Sequence, residues 1–236
     1  MIQPFCNECS TYSSPLWPEL LIQYAVDHVV IQSKETFEVL SNAPYNGGLS
    51  KGNKFVNWKV PLNYDCTDPA SMMETRLKQW GYNPASTVGL QTAAHIKHTS
   101  FAEETGDEFK LLVCASSGTG NAVRAGLERE TFSAYELGTI NIIILIDGRL
   151  TSSAMVNAVI SATEAKSAVF EELRIRDQSY DCIATGTSTD AVLIAVSQSN
   201  TYEKTHRYAG AVTTIGNAIG RLVYAVVHET IRTQGE

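Results

Sequence analysis

Three segments concentrate the groups able to do chemistry. GTINIIILIDGRL (138–150) sets Thr139 and Asn141 two residues apart in an otherwise apolar run. At the two-residue period of a strand, their side chains share one face. So apolar a strand turns two polar groups inward either for a ligand or for a hydrogen-bonded core. ATEAK (162–166) carries Lys166 on the same helical face as Met155, Val159, Phe170 and Leu173. A lysine inside such an arc either snorkels to the rim or needs a buried carboxylate, with Asp147 and Asp190 the first choices. Glu164 points the opposite way and is a solvated-face residue unless another element covers it. In ATGTSTDA (184–191), Thr185, Thr187 and Thr189 share a face if the chain is extended, and Asp190 heads the next strand. The alternative is that these hydroxyls only satisfy a tight loop.

A fourth stretch, SSGTGNAVRAG (116–126), follows a strand and is expected to open a helix. Gly118 and Gly120 free the backbone to turn, so that N–H groups there could hold an anion or an oxyanion. The stretch is not a P-loop, because the Gly-Lys-Thr/Ser ending is missing, nor GxGxxG, because position 123 is Val. Taken alone, a plain strand–turn–helix connection is the simpler account. His95 and His98 lie at an odd spacing in an expected strand and so face opposite ways, which speaks against one shared metal. No Ser-His-Asp, Cys-His or HExxH arrangement can be read.

The elements that must position these groups change character along the chain. HVVIQ, TFEVLS and FVNWKVPL read as strands, and NAPYNGGLSKGN (42–53) as a Gly/Asn-rich loop. Asp68-Pro69 opens a helix over roughly 70–80. TVGLQTAAHIKH and EFKLLVCASS flank a Thr105-Gly106-Asp107 turn and read as a hairpin. After Gly120 strands alternate with helices: 152–173 with Thr151 or Ser152 as N-cap, the buried strand DAVLIAVSQ, and a terminal helix with Ile215, Ile219, Leu222, Val223 and Val226 on one face behind Thr213 and Thr214. The fold class is mixed α/β, and a single sandwich-like domain over 1–236 is the expectation, its first forty residues being the least defined part.

Composition excludes several classes of function. The chain is 44% hydrophobic and 18% charged, as ordinary globular proteins are. A net charge of −7 without any Lys/Arg run leaves no footprint for nucleic acid or an anionic membrane surface. No secretory signal opens the chain, and Ile140–Ile146 is far too short to span a bilayer. Five scattered cysteines (Cys6, Cys9, Cys66, Cys114, Cys182) favour reduced thiols and a cytoplasmic protein. Cys6 and Cys9 have metal-like spacing, but no second pair completes four ligands. The oligomeric state stays open, a homo-oligomer among the alternatives.

Taken in order, NAPYNGG, GLQTAA, GNAVRAG, GTINIIILID, ATEAK, ATGTSTDA and YAGAVTTIG resemble the adenosylcobinamide amidohydrolase family of corrinoid salvage. The resemblance covers about four fifths of the chain. Any one motif is weak; seven in the family's order are specific. The sequence departs at Ala115-Ser116-Ser117, where Thr-Ala-Gly-like residues are expected, which speaks against a catalytic Ser116 or Ser117. The resemblance implies hydrolysis of the amide joining 1-aminopropan-2-ol to a propionate arm of the corrin ring, giving adenosylcobyric acid. It implies a small-molecule corrinoid as partner and neither a metal nor a cofactor. Chemistry then suggests the roles. Backbone N–H groups of 118–121 or 186–188 would hold the oxyanion, with Thr139 or Asn141 beside them. Asp190 would be base or orienter, and Lys166 would protonate the amine or tune that Asp. Arg124 would meet corrin amide carbonyls. Gly118, Gly120, Asn121, Glu164, Thr185, Gly186, Thr187 and Thr189 complete the substrate-contacting set. GTINIIILID followed by TGTSTD also resembles the autoprocessing β-aminopeptidase type, which implies an αββα sandwich and a covalent role for Thr139.

Overall fold

The computed structural model describes residues 2–7, 9–61, 67–129 and 139–234; Cys66 and Gly138 lie outside the described residues. The chain begins with β1 (Thr11–Tyr12), β2 (Leu21–Ala25), the long β3 (His28–Ser41) and β4 (Gly48–Lys59). It continues through α1 (Pro69–Gln79), β5 (Thr87–Thr92), β6 (Ser100–Gly106), β7 (Phe109–Ser117) and the two-residue β8 (Ala122–Val123). The later half holds β9 (Ile140–Gly148), α2 (Ser152–Glu172), β10 (Arg176–Asp177), β11 (Cys182–Ile183), β12 (Gly186–Thr187), β13 (Ala191–Val196) and α3 (Thr214–Thr233).

One mixed sheet runs β1-β2-β3-β13-β9-β7-β6, with β4 paired to β3 and β5 to β4. The ladder between β3 and β4 shifts register between Gln32 and Phe37. Before that irregularity β3 pairs with β2, and beyond it with β13. Such a break in pairing bends a strand, and here it lets one sheet curl over itself. Side-chain alternation then makes two faces. Val29, Ile31, Phe37, Phe55, Val88 and Leu90 meet Leu112, Cys114, Ile143, Leu145 and Leu193 between the two halves. The opposite parity of β9 (Ile140, Ile142, Ile144, Ile146) packs under α2 and α3. Val30, Val56 and Trp58 face Met73 and Leu77 of α1. The layers are therefore α, β, β, α. Each large apolar side chain buried this way contributes about 1.5–3 kcal/mol.

The helix starts follow their caps. Asp68 accepts from Ser71 N–H, Thr151 from Ala154 N–H and Thr213 from Gly216 N–H, each satisfying a donor of the first turn. Four local expectations are corrected. Strand β4 begins at Gly48, so the 42–53 loop shrinks to a turn over 42–47. The hairpin turn is real, but its first arm is β6; TVGLQT is a separate, wholly buried strand running parallel to β4. His95 and His98 belong to a 3-10 turn, not a strand. After Gly120 no helix forms within 121–129: Ala122-Val123 pairs instead with Gly186-Thr187, and Gly126 turns the chain at φ 90°. A ladder with a distant segment has overridden the local helix signal.

His28, at the start of β3, is buried against the Trp80 ring, with ring centroids 3.8 Å apart. Its Nδ1 lies 2.9 Å from Asp27 Oδ1 and its Nε2 2.9 Å from the Tyr82 hydroxyl. A carboxylate only accepts, so Nδ1 carries the proton and Nε2 accepts from Tyr82. Burial holds the imidazole below its ordinary pKa of 6.5; Asp27 opposes this, and Arg76 and Lys54 reinforce it. The folded state therefore binds fewer protons than the unfolded chain below pH 6.5. Stability should fall as pH drops through that value, by at most about 1.4 kcal/mol per pH unit, until the folded imidazole itself protonates. Urea unfolding of wild type and His28→Gln between pH 7.5 and 5 should show this slope in the wild type and a flatter profile in the variant.

Candidate active site

Strands β9 and β13 run parallel, with Ala191 opposite Asn141, so Asp190 stands beside Ile140, and Thr139 beside Thr189, where the two strands begin. Asp190 has the parity of Val192 and Ile194 and faces α2. There its Oδ2 pairs with Lys166 and accepts from Thr187 N–H at 3.1 Å. Its Oδ1 accepts from the Thr187 hydroxyl at 2.5 Å and from Ile140 N–H at 3.2 Å. The side chains of Lys166 and Asp190 are only 8% and 16% exposed. Lys166 thus does not snorkel. Of its two possible partners it takes Asp190, while Asp147 receives Ser197, Tyr202 and a distant Lys110. Gly186 makes the approach possible: a Cβ there would lie 2.4 Å from both Asp190 Oδ2 and Lys166 Nζ.

Thr139 shares the inward parity of Asn141, as its spacing implies. Its hydroxyl donates to the Thr189 carbonyl at 2.5 Å and lies 3.4 Å from Asn141 Oδ1. Asn141 Nδ2 donates to Asn57 Oδ1 at 2.7 Å and to the Gln91 carbonyl at 3.0 Å. Asn57 Nδ2 in turn donates to Ser116 Oγ at 2.7 Å. These four side chains are buried, and they cross the interior from β9 to β4 and back to β7. With both of its amide hydrogens engaged, Asn141 is arranged to orient its neighbours rather than to donate to an incoming oxyanion.

The two glycine- and threonine-rich loops pack on each other through the β8–β12 ladder. Asn121 Nδ2 donates to Ser188 Oγ at 2.6 Å. Gly118 N–H is committed to the Thr139 carbonyl, and Thr187 N–H to Asp190. Among the described residues, the N–H groups of Gly120 and Ser188 are without a hydrogen-bond partner. Thr185, Thr187 and Thr189 do not present one extended face, because 188–189 is a turn. Thr185 Oγ1 accepts from Ala125 N–H, and the Thr187 hydroxyl is turned onto Asp190.

Two open cavities flank α2 here. One, of about 490 Å³, is lined by Leu40, Asn42, Val156, Val159 and Val192 and has Lys166 and Asp190 in its wall. The other, of about 580 Å³, brings together Arg124, Glu164 and Thr185 with Ser167, Glu171 and Ala184. Thr163 lines both. Arg124 reaches the second cavity with its guanidinium held by the Ile183 carbonyl, Nη1 to O 2.9 Å. The expected residues thus fall into two groups. Thr139, Asn141, Lys166, Gly186, Thr187, Thr189 and Asp190 gather at the strand ends, whereas Arg124, Glu164 and Thr185 line the neighbouring groove. Among the described residues, no three His, Cys, Asp or Glu side chains are arranged to hold a metal.

Sequence reading passed over Asn42, Asn57 and Gln91, and weighed Ser116 only as a catalytic residue. Asn42 follows β3 and clamps the head of β13, donating to the Asp190 carbonyl and accepting Val192 N–H, both at 2.8 Å. Asn57 carried the same signal as Asn141, an amide on the inward face of an apolar strand beside Phe55. The odd-numbered parity of FVNWK was enough to find it.

Comparison with known proteins places this geometry in context. The sequence model of the family described as adenosylcobinamide amidohydrolase matches residues 19–236. A Methanosarcina mazei protein named adenosylcobinamide amidohydrolase is 28% identical over 221 residues, 91% of this chain and 100% of that protein. An uncharacterized protein of Methanocaldococcus jannaschii is 32% identical over 233 residues, 91% of this chain and 86% of its own. A solved Burkholderia β-aminopeptidase aligns over 87% of this chain and 77% of its own, at 12% identity and a TM-score of 0.43.

Removing one partner of the buried pair should be costly. Lys166→Met leaves the Asp190 carboxylate without its counter-charge and should lower stability by about 3 kcal/mol. The double variant Lys166→Met/Asp190→Leu should recover most of that loss, as read from urea midpoints in a double-mutant cycle. Gly186→Ala should cost about 1–3 kcal/mol by overpacking.

Proposed function

This chain belongs to the adenosylcobinamide amidohydrolase family, and on that premise we propose that it hydrolyses the amide linking 1-aminopropan-2-ol to the corrin propionate of adenosylcobinamide, releasing adenosylcobyric acid in cobalamin salvage. It is an amidohydrolase, and the strand ends around Asp190 are its reaction centre. The observation that carries this assignment is convergence: a helix, the strand β9 and the 185–190 loop all deliver groups to one carboxylate.

Each group has a role that follows from its remaining hydrogen-bonding capacity. Asp190 already accepts four hydrogen bonds, so it orients Lys166 and Thr187 rather than abstracting a proton. Lys166 uses one N–H on Asp190 and lines an open cavity with the rest of its ammonium, which suits a proton carrier. Thr139 supplies the nucleophile, its hydroxyl leaving the Thr189 carbonyl to attack the substrate carbonyl. The Lys166 ammonium protonates the departing amine nitrogen as the C–N bond breaks and takes back the proton that the Thr139 hydroxyl gives up. Water then hydrolyses the acyl-threonine. The uncommitted N–H groups of Gly120 and Ser188 hold the tetrahedral oxyanion, where one such donor contributes about 3 kcal/mol. Asn141, fixed through Asn57, keeps the start of β9 in register. The apolar walls of the cavity beside Lys166, with Leu40, Val156, Val159 and Val192, take the edge of the macrocycle.

The chain acts as a single domain in the cytoplasm, a reading supported by its free thiols at Cys6, Cys9, Cys114 and Cys182. Among the described residues, no helix is long and apolar enough to cross a membrane.

Incubation with adenosylcobinamide, followed by mass spectrometry of the corrinoid, should show conversion to adenosylcobyric acid with release of aminopropanol. Thr139→Ala should lower kcat at least 10³-fold with folding unchanged, and Lys166→Met at least 10²-fold. An intact corrinoid that stays bound would make the protein a carrier. Full activity in Thr139→Ala would remove the covalent step.

A further inference from the structure

The groove of about 580 Å³ on the outer side of α2 has no part in the bond-breaking steps, yet its lining is selective. Its volume lies inside the roughly 300–1,000 Å³ range of small-ligand clefts. Ala168, Ile183 and Ala184 make an apolar floor of mostly short side chains. Arg124 stands at its edge with the guanidinium tied to the Ile183 carbonyl, a planar cation fixed in orientation. Glu164 and Glu171, seven residues apart on the outer face of α2, also line the groove. Among the described residues neither carboxylate has a salt-bridge or hydrogen-bond partner, and Arg124 closes no ion pair across to them.

This combination selects for a particular chemistry. Ionised carboxylates only accept, so the ligand must bring donors, and a vicinal diol brings two at the spacing of one carboxylate. Small apolar side chains leave room for a flat heterocycle. A held guanidinium stacks on such a ring face. A nucleoside brings both: a flat base with an open ring face and a ribose diol. Position agrees as well. Thr185 lines the groove, and the next residue, Gly186, touches the Lys166–Asp190 pair; one residue of chain spans at most about 3.6 Å. Thr163 borders both this groove and the cavity beside Lys166. A ligand in the groove therefore sits within reach of a molecule whose amide lies at the reaction centre.

We propose that this groove is the subsite for the adenosyl group of the corrinoid, with Glu164 and Glu171 holding the ribose hydroxyls and Arg124 lying against the base. The proposal rests on adenosylcobinamide being the substrate, and it makes Glu164 and Glu171 determinants of specificity for the upper ligand. The test uses two probes. Free 5′-deoxyadenosine, followed by ligand-observed NMR, reads the groove without any corrin. Dissociation constants of adenosylcobinamide and methylcobinamide, followed by absorbance in dim light, read the subsite within the whole ligand. Wild type should bind 5′-deoxyadenosine, and Glu164→Gln/Glu171→Gln should weaken that binding at least fivefold. The same double variant should weaken adenosylcobinamide about tenfold more than methylcobinamide. No binding of 5′-deoxyadenosine to wild type would overturn the proposal. So would an equal weakening of the two corrinoids, which would place the carboxylates against the corrin periphery. If wild type hydrolyses no corrinoid yet binds the nucleoside in a Glu164/Glu171-dependent way, the reaction assignment fails and the nucleoside site stands.

Discussion

The partly buried Asp190 carboxylate is the constraint on which this end of the molecule depends. It receives Lys166 from α2, Ile140 N–H from β9 and both donors of Thr187 from the preceding loop. Asn42 holds its backbone from the end of β3. An anion so placed must be neutralised and hydrogen-bonded, or its desolvation would cost several kcal/mol. The helix, the strands and the loop can each satisfy it only from one position. The charge therefore acts as a locating pin, and the bare Cα–H face of Gly186 is the clearance that lets lysine and carboxylate meet.

A second polar device lies inside the sandwich. Asn57, Asn141 and Ser116 form a thread of amide and hydroxyl groups through an otherwise apolar interior. Hydrogen bonds of this kind contribute only about 1 kcal/mol each, but leaving one of these groups unpaired costs more. Their effect is thus directional. They hold the two halves of the curled sheet in one register at the end where β9 begins, close to the Thr139 hydroxyl. Apolar contacts alone, such as Phe37 on Phe55 or Leu112 with Ile143, would tolerate small slips that misplace that hydroxyl.

Helix α2 links these devices to the surface. Its inner face buries Ala154, Ala158, Ala162 and Val169 against the sheet, and one flank carries Lys166 into the carboxylate. Its outer face presents Val156, Ile160, Glu164 and Glu171. A single rigid element thereby fixes the distance between the Lys166–Asp190 pair and the groove that borders it.

Much of this was readable in the sequence. Period-two alternation in GTINIIILIDGRL set Thr139 and Asn141 on one face, because strand geometry leaves no other choice. Helical periodicity placed Lys166 in an apolar arc and left it two outcomes, a snorkel to the rim or a carboxylate partner, since an unpaired buried ammonium is too costly. Asp68, Thr151 and Thr213 announced their helices because capping is chemistry local to one turn. Tertiary structure alone decided the rest. Asp190 rather than Asp147 became the partner of Lys166 because β13 lies beside β9 in parallel. The stretch after Gly120 gave up its helix because a ladder with Gly186-Thr187, more than sixty residues away, was available. TVGLQT left the hairpin for a parallel strand for the same reason. Local sequence determines which groups must be satisfied; which distant group satisfies them depends on how the sheet curls, and that is a property of the whole chain.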